Sequence, residues 1–296
     1  MQKRILGIYR EKIYSNHAIE ADRAIIDEAM DRLQEMLGTQ ANIQRVEPSQ
    51  AVEMTIDHDL VLSMAQGFDI LNHLEQATAN NGIRVINSVK AIRNCYRLAL
   101  NTLLGENTEG VLYPDTEMLS TSKRLEKLPF EMKKGAWLKR GDFHALSDED
   151  VMFVADLDHL NTVLAKFKSR GIESVVLQKH IQGPIFKFYG VRGLFFKPRY
   201  MGIALKEKEQ LSASTPYDNA VDFDTIRRLA DKAAQKLDLE IYGGDCIIDD
   251  DGGIYFIDMN DWPSFRTCRQ EAGQAMAIYA RECIKLEEQD GVECRL

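Results

Sequence analysis

The stretch YGGDCIIDDDGGIYFIDMNDWP, residues 242–263, decides how this chain is read, because it sets Asp245, Asp258 and Asn260 where one cation can reach all three. Two hydrophobic runs, 246–248 and 254–257, flank an acidic, glycine-rich turn at 249–253, which is the pattern of a β-hairpin. Pairing brings the outer ends of the strands together. Asp258 and Asn260 are two apart and so project from one face of the second strand, while Asp245 arrives from its neighbour. Hard oxygen ligands with few nitrogens or sulfurs suit magnesium, which takes one or two carboxylates and completes its shell with waters and substrate phosphates. The alternative is that all three simply cap strand ends. Their apolar neighbours favour the ligand reading, since polar groups at the ends of buried strands need partners. Asp249, Asp250 and Asp251 read instead as a solvated turn, because the spacing of a calcium loop is not met and apolar strands bracket them.

Two lysines upstream share this setting. Lys139 follows Trp137-Leu138, and Lys187 sits inside Ile-Phe-Lys-Phe-Tyr. A charge within a strongly apolar strand rarely lacks a partner, and an anionic phosphate would satisfy both; the alternative is an edge-strand lysine snorkelling to water.

Between residues 4 and 86, strand-like segments (4–9, 43–46, 60–64, 83–86) alternate with helix-like ones (18–37, 68–79), the mark of a small parallel α/β layer. Ligands of such sheets sit beyond the carboxyl ends of the strands, which makes Arg10, Glu11, Lys12 and Ser63 candidate substrate contacts, against the ordinary alternative of a solvated turn. One helix is expected over 89–104 and an extended segment at 111–114. A short strand carrying Lys139 and a strand-helix-strand unit (151–155, 157–169, 174–178) then make 123–178 a small second unit. Strands at 185–191 and 194–198, reversing at Arg192-Gly193, lead to a loop rich in Lys and Glu at 206–210. An amphipathic helix at 223–237 precedes the opening hairpin, and a last helix is expected over 268–286.

The whole composition bounds the alternatives. A chain of 296 residues, 45% hydrophobic and 28% charged, is an ordinary globular protein with room for roughly two or three cores. The formal charge of −9 disfavours sequence-independent binding to nucleic acid, although Lys123, Arg124, Lys127, Lys133, Lys134, Lys139 and Arg140 make one region basic. The five cysteines are odd in number, scattered and without a CxxC pair, so reduced thiols are expected and structural zinc is not. No apolar run approaches the roughly 20 residues of a membrane helix, and the opening residues read as a strand, so a cytoplasmic location without membrane partners is expected. Nothing in the sequence specifies an oligomeric state.

In order, spacing and residue type, residues 85–277 resemble the ATP-grasp superfamily, with its usual amino-terminal α/β domain in front. Asp245 corresponds to the first metal position, Asp258-Met-Asn260 to the family's Glu-x-Asn, and Pro263 to a frequent proline. Residues 86–92 resemble the segment before the first nucleotide-binding helix. Arg97 stands where a lysine normally reaches the phosphates, and Lys139 is similar to the second phosphate-binding lysine. Residues 175–181 look like the strand and hinge that hold adenine, with Gln178 for the usual Glu or Gln and backbone atoms of Lys179, His180 and Ile181 facing the base. The resemblance implies an α/β protein of three parts: a pre-ATP-grasp domain (1–88), a small subdomain with the nucleotide hinge (89–180) and a carboxyl-terminal subdomain with the metal site (181–296). The last two are the α+β subdomains that enclose ATP. Three departures stand out. Gly141-Asp-Phe-His-Ala is not a multi-glycine phosphate loop and leaves that task to His144, nearby amides or the lysines. Ile185 occupies the approximate place of an acidic ribose contact, and Asp258 is one methylene shorter than Glu.

The resemblance implies ATP and one or two magnesium ions, with manganese as a substitute. As in glutathione synthetase and the ribosomal-protein glutamate ligase, it implies a ligase that phosphorylates a small-molecule or peptide carboxylate for attack by an amine. The alternative is a kinase, because 185–191 and 256–265 also resemble the inositol phosphate kinase branch, in which Lys197, Arg199 and Arg266 would grip extra phosphates. A nucleotide sensor without turnover is a third reading. The larger number of ligases in the superfamily favours the first. Lys187, Arg199 and Arg266 are the candidate catalytic cations.

Overall fold

The computed structural model describes residues 2–15, 18–106, 108, 110–143, 145–203 and 222–286. His144, the 206–210 loop and Cys294 lie outside them.

The chain opens as alternating strands and helices: β1 (Lys3–Ile8), α1 (Ile19–Leu37), β2 (Ala41–Val46), α2 (Pro48–Glu53), β3 (Leu60–Ser63), α3 (Phe68–Asn81) and β4 (Arg84–Ile86). The strands pair in parallel in the order β2-β1-β3-β4. β1 is apolar on both faces, as a central parallel strand must be. Its Leu6 and Ile8 pack toward α3, and Ile5 toward α1. Gly82, in the left-handed conformation at φ +68°, ends α3 where a side chain would be strained.

The expected helix over 89–104 is two helices, α4 (Val89–Asn94) and α5 (Arg97–Gly105). No glycine or proline interrupts it. Tyr96 donates its hydroxyl to Gln66 O at 2.7 Å, and the Leu98 amide donates to Gly141 O at 3.2 Å, so contacts far along the chain re-aim the second half. A second sheet follows, from β5 (Thr116–Ser120), β6 (Ala136–Arg140), β7 (Val151–Val154) and β8 (Ser174–Lys179), with α6 (Leu157–Ser169) against one side. Its order is β5-β8-β6-β7 with antiparallel neighbours, so β6 inserts between the two strands joined by α6. β5 is unanticipated from sequence, because an edge strand with exposed Glu117 and Met118 has no clean apolar alternation.

The third sheet comprises β9 (Pro184–Val191), β10 (Phe195–Ile203), β11 (Ile241–Ile248) and β12 (Ile254–Asp261), antiparallel in the order β10-β9-β11-β12. α7 (Phe223–Lys236) lays Ile226, Leu229, Ala230 and Ala233 onto Phe186, Phe188, Cys246 and Phe256. The last helix, α8 (Arg269–Leu286), packs on α1, so Ala272, Met276 and Ala280 share one core with Ile25, Ala29 and Met30. The described cysteines, Cys95, Cys246, Cys268 and Cys283, are free and buried.

Candidate active site

Strand register builds the site. Across the third sheet Arg199, Lys187, Asp245 and Asp258 stand opposite one another on four successive strands. Two residues along, Lys197, Tyr189, Gly243 and Asn260 form a second row. Such rows point to one face, so the sheet carries three cations, Arg199 and Lys197 on β10 and Lys187 on β9, and two acids on β11 and β12. Gly243 is required there, since a Cβ would lie 2.7 Å from Pro263 Cγ and 2.9 Å from Phe188 O.

An irregularity makes this alignment. Out from the turn, Ile248 pairs with Ile254 and Cys246 with Phe256, a register that would bring Asp245 opposite Ile257. The register shifts between Asp245 and Cys246, and Asp245 faces Asp258 instead. Ile257 is the extra residue of a β-bulge. Without it Asp258 and Asn260 would face the core.

The bulge also frees a backbone oxygen. Lys139 Nζ reaches from β6 to Ile257 O at 3.1 Å and donates to Gln178 Oε1 at 2.7 Å. Lys139 therefore ties the second sheet to β12 of the third. Burial, then the neighbouring Arg97 charge, lowers its ammonium to about 8, against the pull of Asp258 and Asp245. Arg97 is buried at the start of α5, with Nη1 3.5 Å from Arg140 O.

Lys187 Nζ lies 3.2 Å from Asp245 Oδ1. Desolvation works against the Lys187 charge, but the Asp245 carboxylate outweighs it and holds the ammonium above its usual range. Desolvation pushes the Asp245 carboxyl up, Lys187 opposes this, and the facing Asp258 adds to it. Facing, partly buried carboxylates, with an amide oxygen one row away, have the donor chemistry of a magnesium site that keeps positions for water and phosphate. Among the described residues no group of three or more His, Cys, Asp or Glu could hold a metal.

At the hinge, the Lys179 amide donates to Asp115 O at 2.8 Å and the His180 amide to Gly135 O at 3.2 Å. Trp137 Nε1 donates to His180 Nδ1 at 3.1 Å, and burial lowers the His180 pKa, so the imidazole is a neutral acceptor. Lys179 Nζ pairs outward with Asp115. A cleft of about 350 Å³ opens beside Ile181, Lys133, Lys134, Tyr255 and the turn acids Asp249 to Asp251. The turn is thus a cleft wall, where the sequence suggested only solvent.

The remaining candidates scatter. Arg199, though in the first row, is exposed at the edge of the sheet, and Arg266 is exposed after β12; burial raises the Asp22 carboxyl, and Arg10, Ser15 and Arg266 offset that only in part. Arg10 Nη2 donates to Trp262 O at 2.8 Å, Glu11 accepts from the Gln66 and Gly67 amides, Ser63 Oγ accepts from the Ala65 amide, and Lys12 is exposed. Residues absent from the sequence reading also converge. The Tyr113 hydroxyl bonds Asn101, and its pKa is raised by burial and then by Asp258. Phe143 stacks on Tyr14 with ring centroids 4.5 Å apart and tilts against Tyr96 at 4.9 Å. Local pattern carries no signal for these contacts, since each spans separate segments.

Two antiparallel sheets facing across a cleft, fronted by a parallel α/β layer, make this an ATP-grasp fold. In particular, it is the fold of solved D-alanine–D-alanine ligases. That from Bacillus anthracis, complexed with ATP, is 15% identical with a TM-score of 0.66, covering 98% of this chain and 100% of that one. The D-alanyl-alanine synthetase A of Vibrio cholerae O1 biovar eltor is 13% identical at a TM-score of 0.64, covering 96% and 98%. The ligase of Coxiella burnetii is 11% identical at 0.63, covering 97% and 98%. At these identities the likeness is one of fold. No protein-family model and no curated protein matches the sequence.

Proposed function

We propose that the chain is an ATP- and magnesium-dependent ligase that joins a carboxylate to an amine through an acyl phosphate. The observation that carries this is the bulge-set cluster of Asp245, Asp258 and Asn260 facing Lys187, with Lys139 reaching in from the other sheet. Magnesium, or manganese in its stead, would be held by those three side chains and would offset charge on the transferred phosphoryl group. Lys139, Lys187 and Arg97 supply the fixed positive charge around it. The Ile181 amide, beside two amides already committed to protein partners, is the hinge donor for adenine, and Gln178 orients Lys139. No covalent enzyme nucleophile is needed. Two substrates held side by side, with water excluded by the second sheet, account for the rate.

The kinase reading is not favoured. The cavity beyond Asn260 offers a polyanion a single lining cation, Arg10, which is shared between the buried Asp22 and Asp261, while Lys197 and Arg199 lie exposed on the edge strand. A cytoplasmic setting belongs to this proposal; among the described residues no helix is long and apolar enough to cross a membrane.

ADP and phosphate release should require a carboxylate and an amine together. Asp258→Ala and Asn260→Ala should each lower that turnover by roughly 100-fold or more, the scale of losing a group that stabilises transition-state charge, with melting temperature retained. Product formation on a polyol phosphate with no amine present, or near-normal rates in both variants, would overturn the proposal.

A further inference from the structure

The active face of the third sheet carries a third row, on the hinge side of Lys187 and Asp245. There Gly202, Ile185, Ile247 and Tyr255 stand opposite one another on the four strands. Ile185 and Ile247 are two residues from Lys187 and Asp245, so they share that face. Tyr255 joins them because the bulge at Ile257 changes the parity of β12 and leaves Ile254 and Phe256 to the core under α7. One row follows the next at about 6.6 Å, the advance of two strand residues.

The order of the rows decides what each can meet. β9 begins three residues after Ile181, and Tyr255 lines the hinge cleft together with Ile181. A nucleotide with its base at Ile181 and its phosphates at Lys187, Asp245 and Asp258 therefore carries its sugar across Ile185 and Ile247. That floor is hydrocarbon. Ile247 is 3% exposed, Ile185 is half-buried, and Gly202 has no side chain to offer. Tyr255 brings the row's one polar group, at its outer end, where the phenol bears on the Lys179 ammonium. Across the cleft the polar groups of the second sheet are engaged. Trp137 Nε1 donates to His180, Lys139 donates to Ile257 O, and Gln178 lies between Lys139 and the Tyr113 phenol.

We propose that Ile185 makes the site indifferent to the sugar, so that adenine ribonucleotides and 2′-deoxyribonucleotides bind alike; the proposal rests on the ligase reading for where the nucleotide lies. A site built to bond a substrate hydroxyl rejects the analogue lacking it by roughly 10⁴–10⁵-fold, because its own buried groups are left unpaired. Over Ile185 and Ile247 loss of the hydroxyl orphans nothing. The hydroxyl itself costs little to keep, since the cleft of about 350 Å³ beside Tyr255 leaves that edge of the sugar within reach of water.

The test is calorimetric titration of the full chain with magnesium, using ADP against 2′-deoxy-ADP and a non-hydrolysable ATP analogue against its 2′-deoxy form. Dissociation constants within each pair should agree to within five-fold. Ile185→Glu sets a carboxylate acceptor under the sugar and should make that variant bind the ribose form at least five-fold more tightly than the deoxy form. The comparison is internal to the variant, so repulsion between the new charge and the phosphates cancels. A wider gap than five-fold in the wild type overturns the proposal and leaves the ligase reading standing. A folded Ile185→Glu protein without a ribose preference overturns it too, because the sugar then lies elsewhere. If the variant fails to fold, the wild-type ratio decides alone. Binding of neither nucleotide sinks the ligase reading, and this proposal with it.

Discussion

Lys139 answers to two opposed demands. Holding its ammonium near 8 against a free value of 10.5 corresponds to about 3 kcal/mol of unfavourable burial at neutral pH. Between those two values the unfolded chain binds more protons than the native one, so this residue's contribution to nucleotide-free stability improves as pH rises through that window. Phosphate binding has the opposite dependence, because only the charged form attracts the anion. Magnesium-ATP affinity should therefore fall from pH 7 to pH 9, with proton uptake on binding near pH 8, read from titrations in buffers of different ionisation enthalpy. Lys139→Met should weaken magnesium-ATP at least ten-fold and flatten that pH dependence. Its melting temperature should stay near wild type, because relief of burial is offset by about 1–3 kcal/mol for each acceptor orphaned at Gln178 Oε1 and Ile257 O. Unaltered affinity across that pH range in the wild type would exclude Lys139 as a phosphate contact.

At the scale of elements, the segment after β6 is a latch. It is short of glycine, but it carries Phe143, whose ring meets Tyr14 and Tyr96 on the far side of the cleft. Its backbone is fastened too: the Gly141 amide donates to Ser174 O at 2.8 Å, and Gly141 O accepts from Leu98 at the start of α5. Aromatic pairs are worth about 0.5–1.5 kcal/mol each beyond their burial, so Phe143→Ala should cost the closed arrangement roughly 1–3 kcal/mol. The Leu98 and Gly141 amides should then exchange with solvent roughly 10-fold faster or more while those of β11 and β12 are unaffected. Unchanged exchange at Leu98 would show that the backbone bonds hold the latch alone.

Over the whole molecule, the parallel layer and the third sheet behave as one body. Asn87, fully buried, accepts from the Glu240 and Ile241 amides at 2.8 and 2.9 Å and donates to Ile241 O at 2.7 Å. Trp262 Nε1 donates to Ile86 O at 3.1 Å, Arg84 pairs with Glu240, and α1 shares its core with α8. Asn87→Ala orphans three buried backbone groups and should cost about 3–5 kcal/mol, in line with loss of a buried network. That predicts a melting temperature lower by roughly 6–15 °C by calorimetry. A drop under 2 °C would mean that the bracket contributes little.

Much of this was legible along the chain, where a property depends on neighbours. Alternation of apolar runs marked the parallel layer, the helical stripe of α7 and both arms of the hairpin at 242–263, because burial of one face imposes a period on the residues themselves. The break before Arg97 and the edge strand β5 were not legible, since the first is imposed by Gln66 and Gly141 from elsewhere in the chain and the second buries little. The hairpin shows the division most clearly. Residue order alone set Asp258 and Asn260 on a common face, a consequence of the two-residue period of any strand. Which face, and opposite which residue, was decided only in the folded molecule, where the bulge at Ile257 shifts the register by one and turns its freed carbonyl toward Lys139. Asp22, Gln66 and Asp261 belong to the same class: each is an ordinary polar residue in sequence, and only packing three distant segments together takes them out of water.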